Sequence, residues 1–291
     1  MSSKVYFGLP GAIEEIPAPK SGMGFVSRVD NEESELVSGG RSIYRAPTAY
    51  KTFNMTWQTS SSKLRHLIDI YNGQMGPGPY YITDPHANPE NLLPPRWSNA
   101  WQLAHQANGW CRPEVLTQAI PLSPSTSTPR TDRYVKFTQA LVGPTVKLEG
   151  IVKHRMIRIP GKPYFLSVNG TPTGGAGIRY RLYNSGTNSW SAPALFATYT
   201  GAPVSIVPDT DTTTSMIELD IYMPLGSTLI LKGLALGTVN TRLGQWMPVG
   251  QGVGAVSFTN NSEGELISSV IDRVGLSLDF VEVQSVESRM L

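Results

Sequence analysis

The chain has 291 residues, a formal net charge of +2 and a charged fraction of 16%, against roughly 25% in an average globular protein. Its 40% hydrophobic content argues against intrinsic disorder, and the small net charge argues against a protein held on nucleic acid by bulk electrostatics. The single cysteine, Cys111, excludes an intrachain disulfide. We find neither a membrane-spanning apolar run nor a signal-peptide pattern, so we expect no membrane insertion and no export.

The first clear element is a strand near residue 50. From Tyr50 to Gln58, large apolar residues alternate with polar ones, which predicts a strand with one buried face. The apolar face holds Phe53, Met55 and Trp57.

A helix is predicted directly after this strand, over about 61–72. The serines at 60–62 are its candidate N-caps, and its apolar residues recur at i, i+3, i+4 and i+7, the spacing of one helix face. Asn72-Gly73 ends the pattern, because glycine accepts the left-handed conformation of a helix C-terminus. His66 lies off the apolar face, so we expect it on the helix surface. The apolar face comprises Leu64, Leu67, Ile68 and Tyr71.

Between the helix and residue 130 the sequence predicts little regular structure. A short strand over 80–83 follows Gly76-Pro77-Gly78-Pro79, and 121–130 is a polar, proline-rich loop. The stretch from 84 to 113 is irregular but carries three tryptophans, too many large side chains for a free linker.

Beyond this loop the pattern predicts a train of short strands. Ile178, Tyr180 and Leu182 alternate with Arg179 and Arg181, and strands about 8–12 residues apart are typical of a sandwich or jelly roll. The predicted strands span 134–141, 145–149, 154–159, 163–168, 178–184, 194–199, 203–207, 215–222 and 228–238. The turn signals between them are Asn169-Gly170, Gly174-Gly175, Asn184-Ser185-Gly186 and Pro208-Asp209.

A glycine-rich segment opens the last part of the chain. Gly250-x-Gly252-x-Gly254 has the glycine spacing of a phosphate loop, but a dinucleotide fingerprint needs a helix after it, and here a β pattern follows. We therefore predict a flexible connector and then two strands, over 255–259 and 274–283. One face of the final strand holds Leu276, Leu278 and Phe280.

No group of residues predicts catalysis, a cofactor or a metal site. The histidines lack metal-ligand spacing and are interpreted as structural or solvated, and Cys111 as an inert thiol. The densest acidic group could bind calcium or act as an acid/base pair. However, Glu218 and Asp220 alternate with an apolar row, which predicts a solvated position, so a glycoside or peptidoglycan hydrolase is the third hypothesis only. The histidines are His66, His86, His105 and His154, and the acidic group is Asp209, Asp211, Glu218 and Asp220.

Aromatic residues offer the remaining candidate binding site. A flat ring on a sandwich face can stack on a sugar, although most aromatics in a sandwich lie in its core. Trp190 follows the polar turn at 184–189 and is the best candidate for an exposed ring, with Tyr183 as the second glycan-stacking candidate.

Two segments carry a resemblance to a known family. The helix followed by Gly-Pro-Gly-Pro-Tyr-Tyr-Ile-Thr-Asp-Pro (76–85) and Asn-Leu-Leu-Pro-Pro (91–95) resembles minor tail proteins of actinobacterial siphophages, which are similar to the distal tail protein family. The closing Gly-Leu-Ser-Leu-Asp-Phe-Val-Glu-Val (275–283) is similar to the final strand of that family.

The resemblance implies a mainly β protein of two domains. A discontinuous belt domain with one short helix would span 1–112 and 246–291. A β-sandwich, similar in architecture only to a galectin or a carbohydrate-binding module, would be inserted over 113–245.

The resemblance also implies a function without catalytic residues. The expected protein is a structural component of the siphophage tail tip, whose belt domains form a hexameric ring between the tail tube and the tip or hub proteins. It would be made and assembled in the host cytoplasm and end in the virion. The alternative is an adhesin of the tail tip, whose sandwich binds a glycan of the host cell wall.

Overall fold

The structure, a computed structural model, describes residues 5–20, 25–28, 31–35, 41–45, 50–76, 78–83, 89–98, 112–121, 129–138, 153–240, 250–259, 263–268 and 273–283. These ranges form strands, one regular helix and one short helical turn, which confirms the mainly β fold with a single short helix. No helix among them is long and apolar enough to cross a membrane.

The elements of the N-terminal part are Val5–Leu9 (β1), Ala12–Ile16 (β2), Phe25–Arg28 (β3), Asn31–Glu35 (β4), Arg41–Arg45 (β5), Tyr50–Ser60 (β6), Ser61–Tyr71 (α1), Tyr80–Ile82 (β7) and Pro95–Ser98 (α2). Those of the middle are Arg112–Pro121 (β8), Pro129–Thr138 (β9), Lys153–Ile157 (β10), Tyr164–Thr173 (β11), Gly177–Asn184 (β12), Ser189–Trp190 (β13), Ala194–Leu195 (β14), Val204–Val207 (β15), Thr214–Tyr222 (β16) and Thr228–Gly237 (β17). The last three strands are Ala255–Phe258 (β18), Glu263–Ser268 (β19) and Arg273–Val283 (β20).

Strands from the N-terminal part and from the C-terminal part of the chain form one sheet, which we call the terminal sheet. Its order is β2-β1-β7-β18-β20-β6-β3, and β19 pairs with β20. The centre is the long antiparallel pair β6–β20, in which Trp57 lies opposite Leu276 and Phe53 opposite Phe280. The predicted alternation of both strands is confirmed, because all three of the predicted inward residues on each strand are buried.

Helix α1 covers one face of the terminal sheet. Leu64 and Leu67 are fully buried in the same core as the aromatic residues of β6 and β20. The helix ends as predicted at Asn72, followed by Gly73 with φ +77°. The predicted surface position of His66 is wrong: the residue is 8% exposed, and its Nε2 lies 3.1 Å from the Phe7 carbonyl. The buried face is wider than the apolar stripe because β1 and β2 also pack beside the helix.

Two five-stranded sheets form a β-sandwich from the middle of the chain. The back sheet has the order β15-β11-β17-β9-β8, and the front sheet has the order β10-β16-β12-β13 with β14 beside β12. Side chains from both sheets share one hydrophobic core. Its members include Leu166, Val168, Ile178, Ile217, Leu219, Ile221, Leu229 and Leu231.

The predicted turn at Asn169-Gly170 is wrong, because β11 continues through it to Thr173. The register against β17 shifts there, from Asn169 opposite Gly233 to Gly170 opposite Leu231. This bulge adds Lys232 to β17, so the core-facing positions change parity along the strand and Leu231 and Leu234 both remain buried. Glycine fits position 170, since a Cβ there would lie 2.4 Å from the Ile230 carbonyl oxygen.

The glycine-rich segment is not the flexible connector that the sequence predicts. Gly252 donates to the Leu93 carbonyl at 3.0 Å, and a Cβ on Gly252 would lie 1.5 Å from the Leu92 carbonyl oxygen. The buried Lys51 amine donates to the Gly252 carbonyl at 2.9 Å, and Gly254 donates to the Glu282 carboxylate at 2.8 Å. The glycines allow two backbones to touch, which fixes the segment in place.

The outgoing and returning chains therefore lie against each other between the terminal sheet and the sandwich. Leu92, Leu93 and Trp97 extend into the sandwich core, although the predicted belt domain includes them. Buried Asn91 fastens this segment to β17, donating to the Leu234 carbonyl and accepting from the Leu236 amide. The domain limits themselves stay a prediction.

Sequence patterns miss several strands and lengthen another. They assign nothing to β1–β5, β8, β13 or β19, and the strand predicted over 194–199 ends at Leu195. The other turn signals at 174–175, 184–186 and 208–209 do separate strands. The predicted strand at 145–149 lies outside the described residues, as do His86, His105 and Cys111.

Candidate functional site

The outer face of the front sheet carries a group of five charged side chains. Since Ile217, Leu219 and Ile221 face the sandwich core, the intervening Glu218 and Asp220 project from the opposite face. Neighbouring strands place arginines beside them. These are Arg155 on β10, paired with Glu218, and Arg179 and Arg181 on β12, paired with Asp220 and Glu218.

Glu218 lies between two guanidinium groups. Arg155 Nε donates to one carboxylate oxygen at 2.7 Å, and Arg181 Nε donates to the other at 2.8 Å, with a further contact from Arg181 Nη2. Arg179 binds Asp220 in a bidentate manner, with distances of 3.0 and 2.6 Å. We call these five residues the arginine–carboxylate cluster.

The cluster corrects the predicted solvation of its acidic residues. Glu218 is 1% exposed and Asp220 5% exposed, because each carboxylate is enclosed by the long side chains of neighbouring strands. A carboxylate buried in this way needs charge-assisted hydrogen bonds to offset its desolvation. Both oxygens of each carboxylate accept such bonds.

Trp190 and Tyr183, the two candidate stacking residues, lie next to this cluster. Their rings meet edge to face with centroids 5.1 Å apart. The guanidinium carbons of Arg155 and Arg181 lie 5.0 and 5.7 Å from the Trp190 ring centroid, within cation–π range. Trp190 is half-buried. Tyr183 is 7% exposed, and its hydroxyl donates to Asn188 at 2.9 Å.

Both aromatic residues also belong to the contact between the sandwich and the terminal sheet. Tyr183 packs in a small core with Ile157 and Met216 of the front sheet and Tyr81 and Ala255 of the terminal sheet, and Trp190 packs against this core. At the β1–β2 turn, Gly11 approaches so closely that a Cβ would lie 2.7 Å from the Tyr183 hydroxyl. Glycan stacking by either residue stays a prediction.

Asp209 and Asp211, the other two acidic candidates, lie apart from the arginine–carboxylate cluster, in the turn before β16. Burial acts to raise the pKa of Asp211, but hydrogen bonds from Thr214 and Thr213 outweigh it and lower the pKa to about 2. The backbone amides of Thr213 and Thr214 donate at 2.7 and 3.0 Å. Asp211 thus orders the entry to β16, while Asp209 is exposed.

Replacing Asp211 with Asn should destabilise the protein at pH 7 by about 1 kcal/mol, the net contribution of a lost hydrogen bond. The folded-state pKa of about 2 lies below the ordinary aspartate pKa of 3.8. The stabilisation is therefore complete above pH 4 and falls as the pH drops through about 2. Urea unfolding at several pH values should show the difference shrinking over that window. A constant difference down to pH 2 would contradict this role.

Metal and histidine chemistry find no support in the described ranges. No group of three or more histidine, cysteine, aspartate or glutamate side chains there could hold a metal ion. His154 is 4% exposed and its ring lies 5.4 Å from that of Trp97, a packing position in the sandwich.

The arginine partners were missed at the sequence level, although a signal was present. Arg179 and Arg181 on one strand, and Glu218 and Asp220 on another, each alternate with apolar residues at the same spacing of two. Opposite charges at matching spacing on adjacent strands form cross-strand pairs. What the sequence did not supply was the adjacency of β12 and β16.

No family model, curated protein or solved structure matches the chain. The resemblance to the distal tail protein family therefore rests only on the residues of the two short segments that carry it.

Proposed function

We propose that the chain is a non-enzymatic structural subunit of a siphophage tail tip, of the distal tail protein type, that assembles into a ring through its terminal sheet. The observation that carries the proposal is the order of the strands. The terminal sheet combines strands from 5–83 and 255–283, and the two sandwich sheets come from 112–237. This order of strands supports the discontinuous belt with an inserted sandwich that the resemblance implies.

The arginine–carboxylate cluster supports the non-enzymatic part of the proposal. A glycoside hydrolase needs one carboxylic acid and one carboxylate facing a substrate. Here Glu218 and Asp220 are buried and bonded to three arginines, an arrangement suited to holding the front sheet together.

The remaining parts of the proposal follow from the resemblance. The ring would consist of six copies between the tail tube and the hub proteins, in a virion assembled in the host cytoplasm. Negative-stain electron microscopy of the purified chain should show closed rings with six-fold symmetry. Particles of single-chain size over a wide concentration range would contradict ring assembly by the chain itself.

Glycan binding by the sandwich is the second candidate function. The half-buried Trp190, flanked by two arginines, is the observation in its favour, since arginine and an aromatic ring can bind the hydroxyls and the apolar face of a sugar. Titration with bacterial wall polysaccharides should then give millimolar binding that Trp190→Ala abolishes. Leu195→Ala, at a 49% exposed position of the same sheet, is the matched control. Absence of binding at millimolar sugar would exclude this function.

A further inference from the structure

Strands β4 and β5 form a two-stranded sheet of their own. Their register runs from Asn31 opposite Arg45 to Glu35 opposite Arg41, and neither strand pairs with the terminal sheet in the described residues. The hairpin follows β3, which is an edge strand of the terminal sheet. An isolated two-stranded hairpin is at best marginally stable in water, so a third strand beside it would add stability.

The two strands of this hairpin carry opposite charges. Strand β4 reads Asn-Glu-Glu-Ser-Glu and contains three acidic residues and no basic one. Strand β5 reads Arg-Ser-Ile-Tyr-Arg and contains two basic residues and no acidic one. Each outer edge thus presents backbone hydrogen-bonding groups along a strand of one charge sign.

We propose that this hairpin joins copies of the chain head to tail, with the acidic β4 of one copy beside the basic β5 of the next. Like charges on directly opposed strands destabilise a pair and opposite charges stabilise it. Pairing of β4 with β4 would bring six glutamates together on two adjacent strands, and pairing of β5 with β5 would bring four arginines together. Of the pairings that two copies can make with these edges, only the mixed one is complementary in charge, and a second copy of this chain supplies the strand that each edge needs.

Mixed pairing also determines the kind of assembly. An interface between two different surfaces of the same chain is heterologous, and it closes into a ring where the rotation permits. Pairing of identical edges would instead give a two-fold dimer. The inference rests on the proposed ring and names the contact that builds it.

Charge reversal of one strand at a time tests the pairing. Glu32→Lys/Glu33→Lys/Glu35→Lys makes both strands basic, and Arg41→Glu/Arg45→Glu makes both acidic. Each variant alone should have the mass of a monomer by light scattering. An equimolar mixture should regain the wild-type mass, because the basic β4 of one variant meets the acidic β5 of the other. Mixing leaves the pairs within each hairpin unchanged, so recovery reports contacts between copies.

The matched control is Lys63→Glu/Lys232→Glu, which changes the net charge as much as Arg41→Glu/Arg45→Glu does, at exposed positions of α1 and β17. It should assemble like the wild type. Unchanged assembly of either hairpin variant, or a mixture that stays monomeric, would overturn the pairing while leaving the ring in place. A monomeric wild type would instead contradict the proposed function, and the pairing would fall with it.

A cross-linking experiment covers the case in which charge reversal prevents folding. In a Cys111→Ser background, copies carrying Ser34→Cys on β4 are mixed with copies carrying Ser42→Cys on β5, and a short bismaleimide is added. Head-to-tail pairing predicts cross-links mainly between the two different variants. Cross-links mainly between identical variants, or none, would overturn it.

Discussion

Replacing Glu218 with Gln is expected to lower the free energy of unfolding by about 3–5 kcal/mol, the usual cost of removing one partner from a buried ion pair. Glu218 is 1% exposed and bonds both Arg155 and Arg181. Without the carboxylate, the two guanidinium groups would face each other across β16 with their charges unbalanced. The loss should appear as a shifted midpoint in urea unfolding, with the slope of the transition unchanged.

Asp209→Asn is the control for the loss of one negative charge. Asp209 lies in an exposed turn of the same sandwich, so its replacement should change stability by less than about 0.5 kcal/mol. A Glu218→Gln protein as stable as Asp209→Asn would show that the arginine–carboxylate cluster does not stabilise the front sheet.

The second large effect is expected for Gly252→Ala, with a loss of about 3 kcal/mol. A Cβ at this position would lie 1.5 Å from the Leu92 carbonyl oxygen and 2.4 Å from its carbon. Neither is the end of a flexible side chain, so the two backbones must separate. Their separation weakens the Gly252–Leu93 hydrogen bond and the Lys51 contact as well. For a chain of this size the melting temperature should fall by about 6 °C or more.

Gly186→Ala is the matched control, because its nearest neighbour would be the Asn184 side-chain oxygen at 3.2 Å, which can move. We expect a change below about 1 kcal/mol there. Equal melting temperatures for the two variants would show that the segments around Gly252 and Leu92 are not closely packed. They would then favour the flexible connector that the sequence predicts.

Local periodicity predicted the elements that bury one face against a neighbour. The β6 strand, α1 and β20 each show a complete apolar stripe, and their contacts agree with it. The face of β16 that packs in the sandwich was equally visible from Ile217, Leu219 and Ile221. In these cases the buried side is determined by side chains within one segment.

The misassigned features depend on partners far away in the sequence. Glu218 is buried because Arg155 and Arg181 lie on adjacent strands, and Gly252 is fixed because the Leu92 backbone reaches it. The polar character of Glu218 predicted exposure to solvent, and the glycine content around Gly252 predicted a mobile segment. The strand β4 escaped prediction for a related reason, since Asn-Glu-Glu-Ser-Glu has low strand propensity and its pairing with β5 is what makes it a strand.

The most direct measurement is the solution mass of the purified wild-type chain, by light scattering after size exclusion. We expect a ring of about 190 kDa, six copies of the 31.7 kDa chain, formed in a concentration-dependent manner. A two-fold dimer would contradict the complementary pairing of β4 with β5. A mass of 31.7 kDa at every concentration would contradict ring assembly by the chain itself.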